Sequence, residues 1–132
     1  MRVVVLVLAA LAVTGCNGQN QTVPGDGGAG TTSLEISISL GVKDAPTKLW
    51  TLRCPTGGTL PDAARACVRL DGLDDPFGPL PKDVACTEVF GGPQVADVRG
   101  TFRGQLVKAQ FTRTDGCQIA RWNRVRFLLP SR

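Results

Sequence analysis

Apolar and polar residues alternate strictly along "LEISISLG": Leu34, Ile36, Ile38 and Leu40 fall on one side, Glu35, Ser37, Ser39 and Gly41 on the other. A period of two with one apolar face predicts a half-buried strand. The period returns in "TKLWTLRC", with Trp50, Leu52 and Cys54 on one face. It returns again in "VADVRGTF", with Ala96, Val98 and Phe102 inward, and in "LVKAQFTR", with Val107, Ala109 and Phe111 inward. Arg103-Gly104 between these two reads as a hairpin turn. "RVRFLLP" predicts a last strand that points Val125, Phe127 and Leu129 inward. Gly57-Gly58 interrupts the pattern, after which Leu60, Ala64, Cys67 and Leu70 form an apolar stripe at helical spacing. Thr59 and Asp62 resemble a capping box, and Pro61 suits a first turn. A short second helix is expected near Cys117 to Arg121. Asp71 to Asp83, with Asp74-Asp75-Pro76, Pro79 and Pro81, reads as an irregular surface connection. The sum is an α+β domain, a five-stranded antiparallel sheet with about two helices packed on one face.

The first residues follow a different rule. "MRVVVLVLAALAVTGC" has Arg2 before an unbroken apolar run from Val3 to Val13, too short to cross a bilayer and of the length of a signal-peptide core. Val13-Thr14-Gly15-Cys16 resembles the lipobox of bacterial lipoproteins, in which the cysteine becomes the lipidated mature N-terminus. Residues 17–33, rich in Gly, Asn, Gln and Thr, have the composition of a flexible tether. The expected organisation is a lipoprotein signal peptide over 1–15, a tether over 16–33 and a folded domain over 34–132. The protein is then exported, and either anchored by lipidated Cys16 to the outer face of the cell membrane or secreted.

Lipidation of Cys16 leaves Cys54, Cys67, Cys86 and Cys117. In an oxidising compartment four cysteines read as two disulfides. Three pairings are open, with Cys54 at a strand end and Cys67 on the buried side of the helix the natural pair. No two cysteines have C-x-x-C spacing and the chain has no histidine, so no metal and no cofactor is expected. Of fifteen basic residues Arg2 departs with the signal, leaving fourteen against eleven acidic ones, a mild excess that names no partner. Arg121, Arg124 and Arg126 around Trp122 could form a nucleic-acid patch. A strand with a solvated basic face fits their alternation better, and no nucleic-acid partner is expected. Without histidine the Ser-His-Asp and Cys-His constellations are excluded. Asp71, Asp74, Asp75 and Asp83 read as a solvated acidic loop, and Gly91-Gly92 lacks the following helix that a phosphate cradle needs. Binding, not catalysis, is the default.

Several stretches together resemble the Streptomyces-type subtilisin inhibitors, small exported proteins that block serine proteases. The resemblance covers about residues 48–129 and rests on "LWTLRCPTGGTLPDAARAC", "CTEVF", "VADVRGTFRGQL" and "FTRTDGC", with four cysteines in matching order. It implies the pairs Cys54–Cys67 and Cys86–Cys117 and a five-stranded antiparallel sheet with two helices. It also implies a substrate-like loop flanked by Cys86, Thr87 and Phe90, with the reactive bond Glu88-Val89. The implied partner is a serine protease, and the family also forms dimers through the sheet, with which Leu34 to Leu40 is compatible. Three departures stand out. Glu88 is acidic where relatives carry Lys, Arg or a large apolar residue, which points to a glutamate-preferring or broadly tolerant subtilisin-like enzyme. "FGGP" is one residue longer than the family's aromatic-x-Pro, which is expected to loosen the outgoing side of the loop. Asp115 stands where relatives often have an Asn that supports the loop, and a carboxylate has no amide donor. The alternative is a non-inhibitory cell-envelope binding module on the same scaffold, with a structural or metal-storage role third.

Overall fold

Alternation becomes a sheet in the computed structural model, which describes residues 30–130; the expected signal segment, Cys16 and most of the tether lie outside the described residues. In chain order the elements are β1 (Ser33–Ser39), β2 (Lys48–Arg53), β3 (Gly57–Gly58), α1 (Ala63–Asp71), β4 (Val95–Phe102), β5 (Gln105–Phe111), α2 (Gly116–Arg124) and a single 3₁₀ turn at Arg126–Leu128. The five strands lie in the order β3-β2-β1-β4-β5, each pair antiparallel. Arg103 and Gly104 join β4 to β5 with φ of 50° and 76°, the paired positive values that a type I′ hairpin turn needs.

Register puts the apolar residues on one face. Ile36 stands opposite Trp50 on one side and Val98 on the other, and Val98 stands opposite Ala109. Against this face the helical layer presents Leu70 from α1, Trp122 from α2, and Val125, Leu128 and Leu129 beyond it, making one continuous core. Each large apolar side chain withdrawn from water contributes about 1.5–3 kcal/mol, so this layer contact is the main source of stability. The opposite face of the sheet carries Glu35, Arg53, Asp97, Arg99, Lys108 and Gln110, with Gln110 Nε2 donating to Asp97 Oδ1 at 3.2 Å. The apolar side of β1 is therefore used inside the chain's own core, and the face of the sheet open to a second copy is the outer one, where the exposed Leu49 and Leu106 stand among the polar residues.

Four expectations are corrected. The segment with Val125, Phe127 and Leu129 is not a strand: α2 runs on to Arg124 and is followed by the 3₁₀ turn, and Val125 between them and Leu128 within the turn are fully buried. The fifth strand is instead the Gly57–Gly58 pair at the edge. The capping box is also absent, because Asp62 lies in the left-handed region without a side-chain cap, and Thr59 is engaged by Thr51. Thr51 N–H donates to Thr59 Oγ1 at 3.0 Å, and Thr59 N–H donates to Thr51 O at 2.9 Å. On α1 the buried stripe is Ala66, Cys67 and Leu70, while Ala64 is exposed.

The arginine-rich stretch is the fourth correction. Arg121 and Arg124 are helical, not alternate residues of a solvated strand, and they hold the 71–83 connection onto the body. Arg121 Nε donates to Gly78 O at 3.0 Å, its Nη2 to Phe77 O at 3.4 Å and its Nη1 to Gln110 O, and its guanidinium lies 4.3 Å above the Phe111 ring. Burial lowers the pKa of Arg121, partly opposed by the charge of Asp75. Arg124 Nη2 donates to Asp74 O. Phe77 packs edge-on against Phe102, ring centroids 5.5 Å apart, so the connection is packed as well as connective. Replacing the fully buried Phe111 with alanine empties part of the core and removes one of the two ring contacts of Phe77 and the ring beneath Arg121. We expect Phe111→Ala to cost about 3–5 kcal/mol in a urea titration, with the slope unchanged.

Candidate functional site

Residues 81–90 are exposed throughout and the stretch 84–90 belongs to no helix or strand. Such a segment would ordinarily sample many conformations. Here it is tied at both ends to residues 113–117, the turn that leads from β5 into α2. On the incoming side Cys86 is bonded to Cys117, with Cα atoms 5.3 Å apart, closing 31 residues of chain. Loop-closure entropy makes such a bridge worth about 4 kcal/mol, and the Cys54–Cys67 bridge, spanning 13 residues, about 3 kcal/mol. Both pairs that the family resemblance implies are thus present. Immediately after the bridge, Gly116 N–H donates to Thr87 O at 2.9 Å. On the outgoing side Gly91 N–H donates to Arg113 O at 2.7 Å.

Glu88, Val89 and Phe90 lie between these fastenings. Val89 is 57% and Phe90 66% exposed, so both side chains stand in solvent beside Glu88. The outgoing side, with its extra glycine, is held at further points. Beyond Gly91, Pro93 is packed so closely on the β1–β2 connection that a Cβ on Gly41 would stand 2.4 Å from Pro93 O. Gln94 Oε1 accepts from Arg113 Nη1 at 3.3 Å, which holds the return into β4 beside the same turn. Arg113 also reaches the ring of Trp122, at 5.9 Å from its centroid, and so leans on the core.

Asp115 has a different task from loop support. Its φ of −153° is extended, and its Oδ1 accepts from Gln118 N–H at 2.8 Å, the bond of a helix N-cap. The donor to Thr87 O is the main-chain N–H of Gly116. Thr87 and Gly116, on which the incoming clamp depends, and Arg113 and Gly91, on which the outgoing one depends, are brought together by the fold. Of these, the resemblance had singled out only Thr87. Cys86, Cys117 and Asp115 also present their sulfurs and a carboxylate oxygen within 4.8 Å of one another. With the sulfurs joined there is no thiolate pair to ligate a cation, and the cluster is the bridge and its neighbouring cap.

A family model described as subtilisin inhibitor-like matches residues 30–114, more than half of the chain, and no curated protein matches it. The matched region holds the whole sheet, α1 and the exposed loop; α2 with Cys117 follows it.

The cap assignment is testable apart from any activity. Asp115→Ala should lower stability by about 1 kcal/mol and speed amide exchange at Gln118, whereas Asp115→Asn, an equally good cap, should leave both nearly unchanged.

Proposed function

The chain belongs to the subtilisin inhibitor-like family, whose members are protease inhibitors and not enzymes, and from that premise we propose that it inhibits a serine protease through the loop around Glu88-Val89. The observation that carries the reading is the pair of fastenings on either side of that bond. Cys86–Cys117 with the Gly116–Thr87 bond holds the chain before it, and the Gly91–Arg113 bond holds the chain after it.

Consider the protease serine attacking the carbonyl carbon of Glu88. The Glu88–Val89 amide bond breaks, an ester to the serine oxygen forms, and Val89 leaves as a free amine that has taken up the proton. In an ordinary substrate the amine diffuses away and water then cleaves the ester. In this loop neither new end is free to leave, because each is fastened to the same turn. The Val89 amine stays near the ester at high effective concentration, and its return attack, which expels the serine and restores the amide, outpaces hydrolysis. Affinity has a related origin. A loop held extended before binding loses little conformational entropy on entering the cleft, and its backbone can add as a strand to the enzyme's edge. The exposed Val89 and Phe90 supply the apolar surface that the cleft covers.

Glu88 sets the target class. A carboxylate entering an apolar or acidic specificity pocket loses its hydration without compensation, so a protease that prefers glutamate, or a subtilisin-like enzyme that leaves the side chain wet, is the proposed partner. We further propose that the protein is exported and that lipidated Cys16 holds it at the membrane, the anchor being its contact with lipid. If so, Cys16→Ser moves the protein from the membrane fraction to the soluble fraction, and an unchanged distribution would rule the anchor out.

Incubation with a glutamyl endopeptidase, subtilisin and trypsin tests the inhibitory reading. Stoichiometric loss of glutamyl endopeptidase or subtilisin activity is expected, with trypsin spared. Glu88→Pro should abolish the effect and Glu88→Lys should transfer it to trypsin. Mass spectrometry of any nicked product should place the cut after Glu88. Complete digestion, or no effect on any of the three enzymes, would instead favour a non-inhibitory envelope binding module.

A further inference from the structure

Gly91 and Gly116 each donate one of the two main-chain bonds that fasten the loop, and neither has a φ in the left-handed region. A positive φ therefore does not explain a glycine at either place. Space does. A Cβ on Gly116 would stand 2.0 Å from Thr87 Oγ1 and 3.3 Å from Thr87 Cβ. A Cβ on Gly91 would stand 2.8 Å from Ile119 Cδ1, 2.9 Å from Ile119 Cγ1 and 3.3 Å from Arg113 Cβ. Each is a non-bonded approach that a carbon does not tolerate without movement of its neighbour. The neighbours differ in a useful way: Thr87 belongs to the loop itself, next to Glu88, and Ile119 belongs to the first turns of α2.

We propose that Gly116 and Gly91 are a matched pair of positioning residues: the missing side chains let the loop lie against the α2 turn at main-chain hydrogen-bond distance on both sides of Glu88-Val89. Filling either gap makes the facing side chain turn aside or moves one end of the scissile segment outward. At Gly116 the added methyl group drives Thr87 out of its rotamer or lifts its carbonyl from the Gly116 N–H. At Gly91 it displaces the Ile119 side chain or pushes the outgoing segment off it and stretches the bond to Arg113 O. A loop fastened at one end only can still be bound and cut, but its new amine is no longer kept beside the acyl group. The proposal rests on the inhibitory reading for its consequence, whereas the spacing it describes can be measured without any protease.

The experiment is a pair of double-mutant cycles on the full-length protein, with two readouts. Gly116→Ala is made alone and with Thr87→Ala, and Gly91→Ala alone and with Ile119→Ala. The first readout is amide exchange at positions 116 and 91, which reports the two fastening bonds directly. The second is the inhibition constant against the enzyme that the wild type inhibits, together with the fraction of inhibitor nicked after long incubation. Each glycine variant should exchange faster at its own position and weaken inhibition about tenfold or more, with more nicked product. In each cycle the loss caused by the glycine substitution should shrink to about threefold or less once the facing side chain has been trimmed. A uniform loss of stability would not produce that rescue. Wild-type exchange and inhibition in both glycine variants would overturn the proposal, as would losses that trimming Thr87 and Ile119 leaves in place. If the wild type inhibits none of the enzymes, the inhibitory reading fails, and the exchange cycles alone decide whether the two glycines set the spacing.

Discussion

Two main-chain hydrogen bonds to one turn, Gly116 N–H to Thr87 O and Gly91 N–H to Arg113 O, govern what the exposed loop can do. They matter because they straddle three residues that have no other support from a helix or strand. The Cys86–Cys117 bridge brings the incoming end to the turn, but a single covalent link would leave the loop free to swing. The outgoing bond closes the frame. Everything beneath the turn can be understood as the means of keeping it still.

That support begins in the sheet. β5 runs up through the core with Val107, Ala109 and Phe111 buried, and delivers the chain to Arg113. α2 then starts at once, capped by Asp115, and is anchored through Trp122, Val125 and Leu128 in the same core. The turn is thus clamped between a central layer and a covering helix. The approach to Cys86 is held by the same helix further along its length, since Arg121 and Arg124 bind the carbonyl oxygens of Asp74, Phe77 and Gly78. One nine-residue helix therefore fixes the chain leading to the loop, the disulfide within it and the turn that receives its outgoing end. A substitution that loosens α2 reaches the loop by three routes.

Much of this was legible in the sequence, and the parts that were not share a cause. The four long strands announce themselves by a period of two against one buried face, and the four cysteines in their family order carry the bridges. The segment from Val125 to Leu129 deceived because its apolar residues also satisfy helical spacing from Trp122 through Val125 to Leu128 and Leu129, and periodicity cannot separate the two readings over so short a run. Thr59 looked like a cap because its partner in the hairpin, Thr51, is eight residues away in sequence. Asp115 was expected to concern the loop and instead caps α2, while the loop's donor comes from a residue without a side chain. Gly91 and Gly116 could not be read as spacing devices from sequence, since the atoms that forbid a Cβ belong to Ile119 in one case and to Thr87 in the other. Arg113 was passed over because its part is played by a carbonyl oxygen, which every residue possesses.

The central claim is that both ends of a cut loop stay in place. It is tested most directly by beginning with the cut molecule. Inhibitor cleaved between Glu88 and Val89, purified with its disulfides intact and incubated with a catalytic amount of the target protease, should regain the peptide bond in a substantial fraction of molecules, detected as loss of one water in mass. If the cleaved form persists unchanged while the protease remains active, the fastenings do not hold the new ends together, and inhibition by religation of the Glu88–Val89 bond is contradicted.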